Sequence, residues 1–144
     1  MKIFVSFISI LALVTSCTPC KTSWAEPNLI LLNKIYCHVD GIDLTMDVYF
    51  PSNVEYPNPA IIYVHGGGWS QPQGEQSEGL AKSITTALKS RGFLSFWINY
   101  RHYPEATFPA MIEDVKCAVR SIRAHAIEYN IDPEKIGAWG GSAG

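Results

Sequence analysis

Residues 60–64, Ala-Ile-Ile-Tyr-Val, form an unbroken apolar run that leads through His65 into three consecutive glycines, residues 66–68. A strand that is apolar at every position is typical of a sheet whose two faces are both covered. Glycines at the end of such a strand allow a main chain that adopts positive φ or approaches another group closely. The run therefore predicts a strand of a parallel sheet, followed by a loop, residues 65–68, that we name the glycine loop.

Two further buried strands and two amphipathic helices are predicted after this strand. The strands cover residues 93–99 and 135–139, and the first helix ends at Gly92. Apolar residues recur at helical spacing before Gly92 and again over residues 111–126. The two apolar stripes are Leu80, Ile84, Ala87 and Leu88, and Met111, Ile112, Val115, Val119, Ile122 and Ala126. Strands that alternate with such helices indicate an α/β domain with a mostly parallel sheet and helices on both faces.

The segment before Pro51 has a different pattern. Residues 30–38 are predicted to form a strand, Asp40-Gly41 is a two-residue turn signal, and residues 42–50 alternate between apolar and polar side chains. Alternation with a period of two is typical of a half-buried antiparallel strand, and such a turn pair joins two neighbouring strands. The domain is therefore expected to open with an antiparallel hairpin that Pro51 closes.

The first residues indicate export. Residues 1–16 combine a lysine with an almost wholly apolar run that is too short to span a bilayer, as in a signal peptide. Residues 14–17, Val-Thr-Ser-Cys, resemble a bacterial lipobox, so we expect lipidation of Cys17, with cleavage after Ala25 as the alternative. The expected location is the periplasm or a membrane to which that lipid anchors the protein, with secretion as the alternative.

A polar tether, residues 17–28, separates this leader from a single domain, residues 29–144. The net charge of −2 over 144 residues provides no basic stripe for nucleic acid and no polybasic segment for anionic lipid. The sequence contains no Cys/His spacing typical of zinc and no phosphate-binding loop, so we expect neither a metal nor a cofactor.

The four cysteines are Cys17, Cys20, Cys37 and Cys117. They are too unevenly spread to form a small disulfide framework. We expect Cys37 and Cys117 to be buried as small hydrophobic residues. A disulfide between these two is the alternative that export would permit.

The last five residues carry a second motif, and we name residues 140–144 the serine turn. They read Gly-Gly-Ser-Ala-Gly, which matches the pattern Gly-x-Ser-x-Gly directly after the third buried strand. A nucleophilic serine of this kind stands on a sharp, strained turn between a strand and a helix. Side chains at positions 140 and 144 would collide with neighbouring strands and the following helix, so glycine is needed there. Ser142 is the predicted nucleophile.

The glycine loop supplies the complementary chemistry. Acyl transfer builds negative charge on a carbonyl oxygen, and N–H donors that already point at that oxygen stabilise it. Each such donor can be worth roughly 3 kcal/mol. Two motifs of this kind, each at the end of a buried strand, together predict acyl transfer through a serine.

Beyond these motifs, the sequence from about residue 40 to the end resembles the hormone-sensitive-lipase-like carboxylesterases with an HGGG motif. It is more similar still to the related polysaccharide-active esterases that remove acetyl or feruloyl groups. The further matching features are Asp47-Val48-Tyr49, Tyr100-Arg101, Pro104-Glu105, Phe108-Pro109-Ala110, Asp114 and Asp132-Pro133. The resemblance implies the N-terminal part of an α/β-hydrolase fold. It also implies a serine ester hydrolase without a cofactor, acting on short acyl or carbohydrate-linked esters.

The resemblance assigns roles to individual residues. Ser142 is implied as the nucleophile, and His65 as a hydrogen-bonded support of the glycine loop and not as a base. The oxyanion hole is implied to consist of backbone N–H groups, those of Gly67, Gly68 and Ala143, with Gly66 a weaker contributor.

Four further residues are expected around the site. Arg101 and Asp114 are expected to pair and to fix the loop after the second buried strand. Two interpretations of Trp69 and Tyr103 stay open, which are plain packing and lining of the acyl or alcohol side of the pocket. The family often has two small apolar residues where this chain has His102 and Tyr103, so the resemblance does not define the shape of the pocket here.

In this fold an Asp or Glu and then a His follow the nucleophile along the chain. Neither position is reached by residue 144, and the histidines present are His38, His65, His102 and His125. We therefore expect residues 1–144 alone to be inactive and to fold poorly, with an exposed apolar edge at the third strand. A fragmentary gene record is the expected cause of the short chain.

Two alternatives to an esterase stay open at this point. An amidase, peptidase or formamidase would use the same acyl-enzyme chemistry with a different pocket. A non-catalytic binding protein, or a pseudogene remnant, would share the fold without the activity.

Overall fold

The computed structural model of the protein describes residues 30–52, 57–72 and 75–144, without the side chains of residues 75–78. These ranges do not include the predicted leader, the lipidation candidate Cys17 or the tether of residues 17–28. The hairpin begins at Ile30. The elements are β1 Ile30–Val39, β2 Ile42–Tyr49, β3 Asn58–Val64, α1 Glu75–Lys89, β4 Leu94–Ile98, α2 Ala110–Ala124, α3 Ala126–Tyr129 and β5 Ile131–Gly140. None of the helices in these ranges is long and apolar enough to cross a membrane.

The five strands form one mixed sheet in the order β1-β2-β4-β3-β5. β2 pairs antiparallel with β1 on one side and with β4 on the other. β3 pairs parallel with β4 on one side and with β5 on the other. Asp40 and Gly41 join β1 to β2 with φ of 51° and 79°, as a type I′ hairpin turn requires. The predicted fold class, a hairpin followed by a mostly parallel sheet with helices, is confirmed.

Helices cover both faces of the sheet. The face under α2 and α3, which we name the α2 face, carries a large core of aliphatic and aromatic side chains that includes Met46, Val48, Ile62, Phe96 and Ile122. The opposite face, the α1 face, carries a small core of Tyr63, Ala81 and Trp97, with Tyr49 and Trp139 packed against it. The carboxyl ends of β3 and β5, where the two glycine motifs lie, are at one end of this sandwich.

The structure shifts the predicted stripe of α1 by one position. Leu80 is 65% exposed, whereas Ala81 and Thr85 are buried against the sheet. The strands beneath α1 present bulky aromatic rings, which leave room for small side chains only. The helix therefore turns its small residues toward the sheet.

The third parallel strand is longer than predicted. β5 begins at Ile131, and its register against β3 is irregular between the pairs Asn58–Ile131 and Ala60–Ile136. The expected turn signal Asp132-Pro133 lies inside this irregularity, where the Glu134 N–H donates to the Asp132 side chain at 2.9 Å. β5 is one of the two edge strands of the described sheet, with β1 at the other edge. Only Ile131 of β5 is buried, so the prediction of a third buried strand is wrong, because β5 has a neighbouring strand on one side alone.

The expectation that Cys37 and Cys117 are unpaired is wrong. The two cysteines form a disulfide, and their Cα atoms lie 6.4 Å apart. They are separated by 80 residues in the sequence. The physical reason is the packing of α2 against β1, which brings both cysteines to the border of the same core. The bond ties the amino-terminal hairpin to the helix on the α2 face.

Candidate active site

Ser142 lies in the turn that follows β5, and its backbone is strained. Its φ is 58°, in the left-handed region that non-glycine residues rarely adopt. The side chain is exposed, and the turn is closed by a hydrogen bond from the Gly144 N–H to the Gly141 carbonyl at 3.1 Å. A strained, exposed serine in the turn directly after a strand is the arrangement that the serine-turn motif predicts.

Close approach of main chain explains the outer glycines of the serine turn. A Cβ atom on Gly140 would lie 2.7 Å from the Val64 carbonyl oxygen, and one on Gly144 would collide with the same carbonyl. The serine turn therefore packs directly on the end of β3, and larger residues at either position would push Ser142 away from it.

The glycine loop lies against the serine turn. A Cβ atom on Gly66 would be 2.8 Å from the Gly141 carbonyl oxygen and 3.3 Å from Cβ of Ser142. The Trp69 indole N–H, just beyond the loop, donates to the Ala143 carbonyl at 3.0 Å. The two motifs, which are more than 70 residues apart in sequence, thus form one constellation with Ser142 beside the loop.

The predicted oxyanion residues lie within this constellation. Gly67 and Gly68 have φ of 128° and 62°, and the Gly67 carbonyl accepts a hydrogen bond from the Ser70 N–H at 3.2 Å. Ala143 follows the serine directly. Their role as oxyanion donors stays a prediction, because it depends on where a substrate carbonyl binds.

His65 is buried beneath the loop and is not placed as a base. Its Nδ1 donates to the Gly66 carbonyl at 2.7 Å, which leaves Nε2 as a buried acceptor. Burial lowers the pKa of the imidazole, so the ring is neutral near pH 7. The ring stacks on Tyr100 with centroids 4.5 Å apart.

Tyr100 makes a second contact to the same residue. Its hydroxyl donates to the His65 backbone carbonyl at 2.7 Å, in a buried environment. Tyr100 belongs to Tyr100-Arg101, a feature that matches the family, but the resemblance implies no role for Tyr100. No local pattern indicates this bond, because its partners lie 35 residues apart, each just beyond the end of one of two neighbouring strands.

Arg101 and Asp114 form the expected ion pair. The guanidinium donates to both carboxylate oxygens, with the shortest distance 2.8 Å, and the Arg101 backbone N–H donates to Asp114 at 2.9 Å. The Asp114 side chain is only 1% exposed, whereas a second partner of Arg101, the hairpin residue Asp40, is 82% exposed. The pair fixes the segment after β4 to α2 and to the hairpin turn.

Two cavities flank the serine turn. The larger, of about 800 Å³, opens on the α2 face, and the smaller, of about 470 Å³, opens on the α1 face. The larger is bordered by Ala143, and the smaller by Ser142 and Gly66. The serine turn therefore stands between two cavities.

The larger cavity has an apolar lining, and none of the described residues that line it carries a charged side chain. Trp69, Tyr103 and Phe108 present exposed aromatic surface there, and Met111 and Val115 of α2 form its floor. Tyr103 is held in place by its backbone N–H, which donates to the Trp69 carbonyl at 2.7 Å. Trp69 and Tyr103 thus line a pocket, and the lining favours a neutral ligand.

The other histidines lie elsewhere. His38 is hydrogen-bonded to Asp43 on the hairpin, and His125 to the Ser121 carbonyl at the end of α2. His102 neighbours the His65 ring at a centroid distance of 5.4 Å. No histidine among the described residues hydrogen-bonds Ser142, and these residues contain no cluster of side chains able to hold a metal ion.

Comparison with known proteins agrees with this geometry. The sequence model of the BD-FAE family matches residues 46–144. The chain is 38% identical over 86 residues to the probable carboxylic ester hydrolase LipM of Mycobacterium tuberculosis, over 60% of this chain and 19% of that protein. It is 33% identical over 106 residues to the carboxylesterase NlhH of the same species, over 73% of this chain and 32% of that protein. The chain thus spans between 19% and 32% of these relatives' length.

Solved structures show the same fold. An esterase from the planctomycete Thermogutta terrifontis has a TM-score of 0.68 and 31% identity over 82% of this chain and 41% of that one. The same esterase has been solved with propionate bound, with butyrate bound and phosphorylated by paraoxon. Since the family model covers more than half of its residues, the chain belongs to the BD-FAE family and has the N-terminal part of an α/β-hydrolase esterase fold.

Proposed function

We propose that the protein containing this chain is a serine carboxylic-ester hydrolase that works through an acyl-enzyme. The observation that carries the proposal is the placement of Ser142, strained at φ 58°, against the glycine loop. The names of the relatives LipM and NlhH support the same chemistry. A binding protein would need neither a strained serine nor a glycine loop beside it.

In the proposed reaction, Ser142 Oγ attacks the ester carbonyl carbon while a base takes its proton. Backbone N–H groups of Gly67, Gly68 and Ala143 stabilise the oxyanion. The alcohol leaves with a proton, and water then hydrolyses the acyl-serine to release the acid. The resemblance implies that the base, a histidine, and its carboxylate partner follow residue 144 in the chain.

The proposed substrates are neutral esters with short acyl groups, including carbohydrate-linked esters. The uncharged lining of the larger cavity disfavours charged groups, because a charge there would lose water without gaining a partner. Propionate and butyrate bound to the Thermogutta terrifontis esterase support short acyl chains.

We also propose that the protein is exported, as a lipoprotein anchored through Cys17. The disulfide between Cys37 and Cys117 supports export, since such bonds persist in oxidising compartments. Globomycin-sensitive processing and radiolabelled palmitate on Cys17 test the anchor, and processing after Ala25 without label would contradict it.

The test of the activity uses the complete gene product that contains residues 1–144. We expect hydrolysis of p-nitrophenyl acetate and butyrate, and a fall in kcat of at least about 10⁴-fold in Ser142→Ala. Ser90→Ala, which removes a hydroxyl on the surface, is the matched control and retains full activity. Equal activity in Ser142→Ala and in the wild type would overturn the proposal.

A further inference from the structure

The glycine loop needs an external support because its glycines restrain it weakly. Gly67 and Gly68 both have positive φ, and glycine samples more backbone conformations than any other residue. The oxyanion donors must nevertheless be held in place before the reaction begins. Some group next to the loop must therefore define its position.

Tyr100 contacts the root of the loop in two ways. Its hydroxyl donates to the His65 backbone carbonyl at 2.7 Å, and its ring stacks on the His65 ring at 4.5 Å with 16° between the planes. One residue thus fixes both the main chain and the side chain of His65. Burial raises the pKa of the Tyr100 phenol, so the hydroxyl keeps its proton and remains a donor.

Tyr100 is itself held rigidly. It is 3% exposed, and the next residue, Arg101, is bound through both its backbone N–H and its guanidinium to the buried Asp114. Asp114 belongs to α2, which the disulfide of Cys117 ties to the hairpin. The support under the loop is therefore anchored on the α2 face, which carries the larger of the two cores.

The contacts continue from His65 to the reacting serine. The His65 ring donates to the Gly66 carbonyl at 2.7 Å, and Gly66 lies directly against the Gly141 carbonyl and Cβ of Ser142. A shift of His65 would therefore move the loop relative to the nucleophile. Displacements of about 1 Å in such a site can cost roughly 10²-fold in rate.

We propose that Tyr100 is a positioning residue for the oxyanion donors, acting through its hydroxyl bond to the His65 carbonyl and its stack on the His65 ring. This inference rests on the proposed ester hydrolysis. Tyr100 acts on the transition state through the loop, so its hydroxyl affects kcat and leaves substrate binding in the ground state unchanged.

The test compares Tyr100→Phe with Tyr129→Phe in the complete protein. Tyr129 is similarly buried, packs its ring on Phe96, and lies just before β5, at the end of the sheet opposite the glycine loop. Both variants lose one buried hydroxyl and keep the ring, but only Tyr100 contacts the loop. We expect Tyr100→Phe to lower kcat by roughly 10- to 100-fold with KM within about twofold, and Tyr129→Phe to leave kcat unchanged.

A second measurement decides the proposal without activity. Hydrogen exchange of peptides covering residues 65–70 is expected to quicken in Tyr100→Phe and to stay as in the wild type in Tyr129→Phe. Unchanged kcat and exchange in Tyr100→Phe, or an equal fall of kcat in both variants, would overturn the positioning role. If the wild type hydrolyses no ester, the proposed function fails, and the exchange data still test whether Tyr100 fixes the loop.

Discussion

The two faces of the sheet differ in how they are held together. On the α2 face a large core, a disulfide and a buried ion pair connect the hairpin, β4 and α2. On the α1 face a row of aromatic rings, Tyr49, Trp97, Tyr63 and Trp139, crosses four strands, and Ala81 of α1 packs on it. The support of the glycine loop, through Tyr100, comes from the α2 face. The molecule thus places its most strongly constrained packing behind the groups that must be preorganised.

The largest expected effect on stability comes from breaking the buried ion pair. Asp114→Ala leaves the Arg101 guanidinium, whose side chain is 10% exposed, without its buried partner, and we expect a loss of about 3–5 kcal/mol. Asp40→Asn removes the charge of the 82% exposed partner of the same arginine, keeps a residue type that adopts the positive φ of the turn, and should cost at most about 1 kcal/mol. Urea unfolding of both variants measures the difference. Equal losses would show that the pair contributes no more than a surface contact.

The disulfide is the second constraint on the α2 face. Replacing Cys37 and Cys117 together by serine removes a cross-link across 80 residues, and we expect a loss of about 2–4 kcal/mol under oxidising conditions. Adding dithiothreitol should lower the unfolding midpoint of the wild type and leave that of the double variant unchanged. If dithiothreitol leaves the unfolding midpoint of the wild type unchanged, the disulfide does not contribute to stability as proposed.

A substitution on the α1 face is expected to lower the free energy of unfolding by less than the loss of the buried ion pair does. The Trp97 indole N–H donates to the buried Thr85 hydroxyl at 2.9 Å, so Thr85→Val leaves a buried donor unpaired and should cost roughly 1–3 kcal/mol. Thr86→Val, at the exposed neighbouring position, should change the free energy of unfolding by less than about 0.5 kcal/mol. If Thr85→Val costs more than Asp114→Ala, the ranking of the two faces is reversed.

The smallest expected effect is the pH dependence of stability that arises from the histidines beneath the glycine loop. Burial lowers the pKa of His65 and of His102 in the folded state, so the unfolded chain binds more protons as the pH falls below about 6.5. Stability should therefore be fully present above that pH and decline as the pH falls toward the folded-state values. Urea midpoints between pH 7.5 and 5.5 measure the slope, and His102→Leu should flatten it. An identical slope in His102→Leu would exclude a contribution from that residue.

The sequence predicted the parts of the fold that depend on local pattern. The hairpin follows from alternation around Asp40-Gly41, and the central strand from its unbroken apolar run. The two glycine motifs lie at the ends of β3 and β5, as the apolar run before each motif predicts. Their contact across the sheet end was expected from the resemblance, since spacing alone does not bring the two segments together.

The features that escaped prediction all depend on tertiary packing. The disulfide between Cys37 and Cys117 carries no signal at a separation of 80 residues. The inward rotation of α1, with Ala81 in place of Leu80, depends on the aromatic rings beneath it. The Tyr100 hydroxyl bond depends on which neighbour β4 meets in the sheet.

The central claim is that Ser142, held against the glycine loop, is the nucleophile. Incubating the complete protein with paraoxon and mapping the adduct by mass spectrometry tests it most directly, because the Ser142 Oγ–phosphorus bond forms as p-nitrophenolate leaves. We expect one diethylphosphoryl group, on the peptide that contains Ser142, and none in Ser142→Ala. An adduct on another residue, or ester hydrolysis that persists in Ser142→Ala, would contradict it.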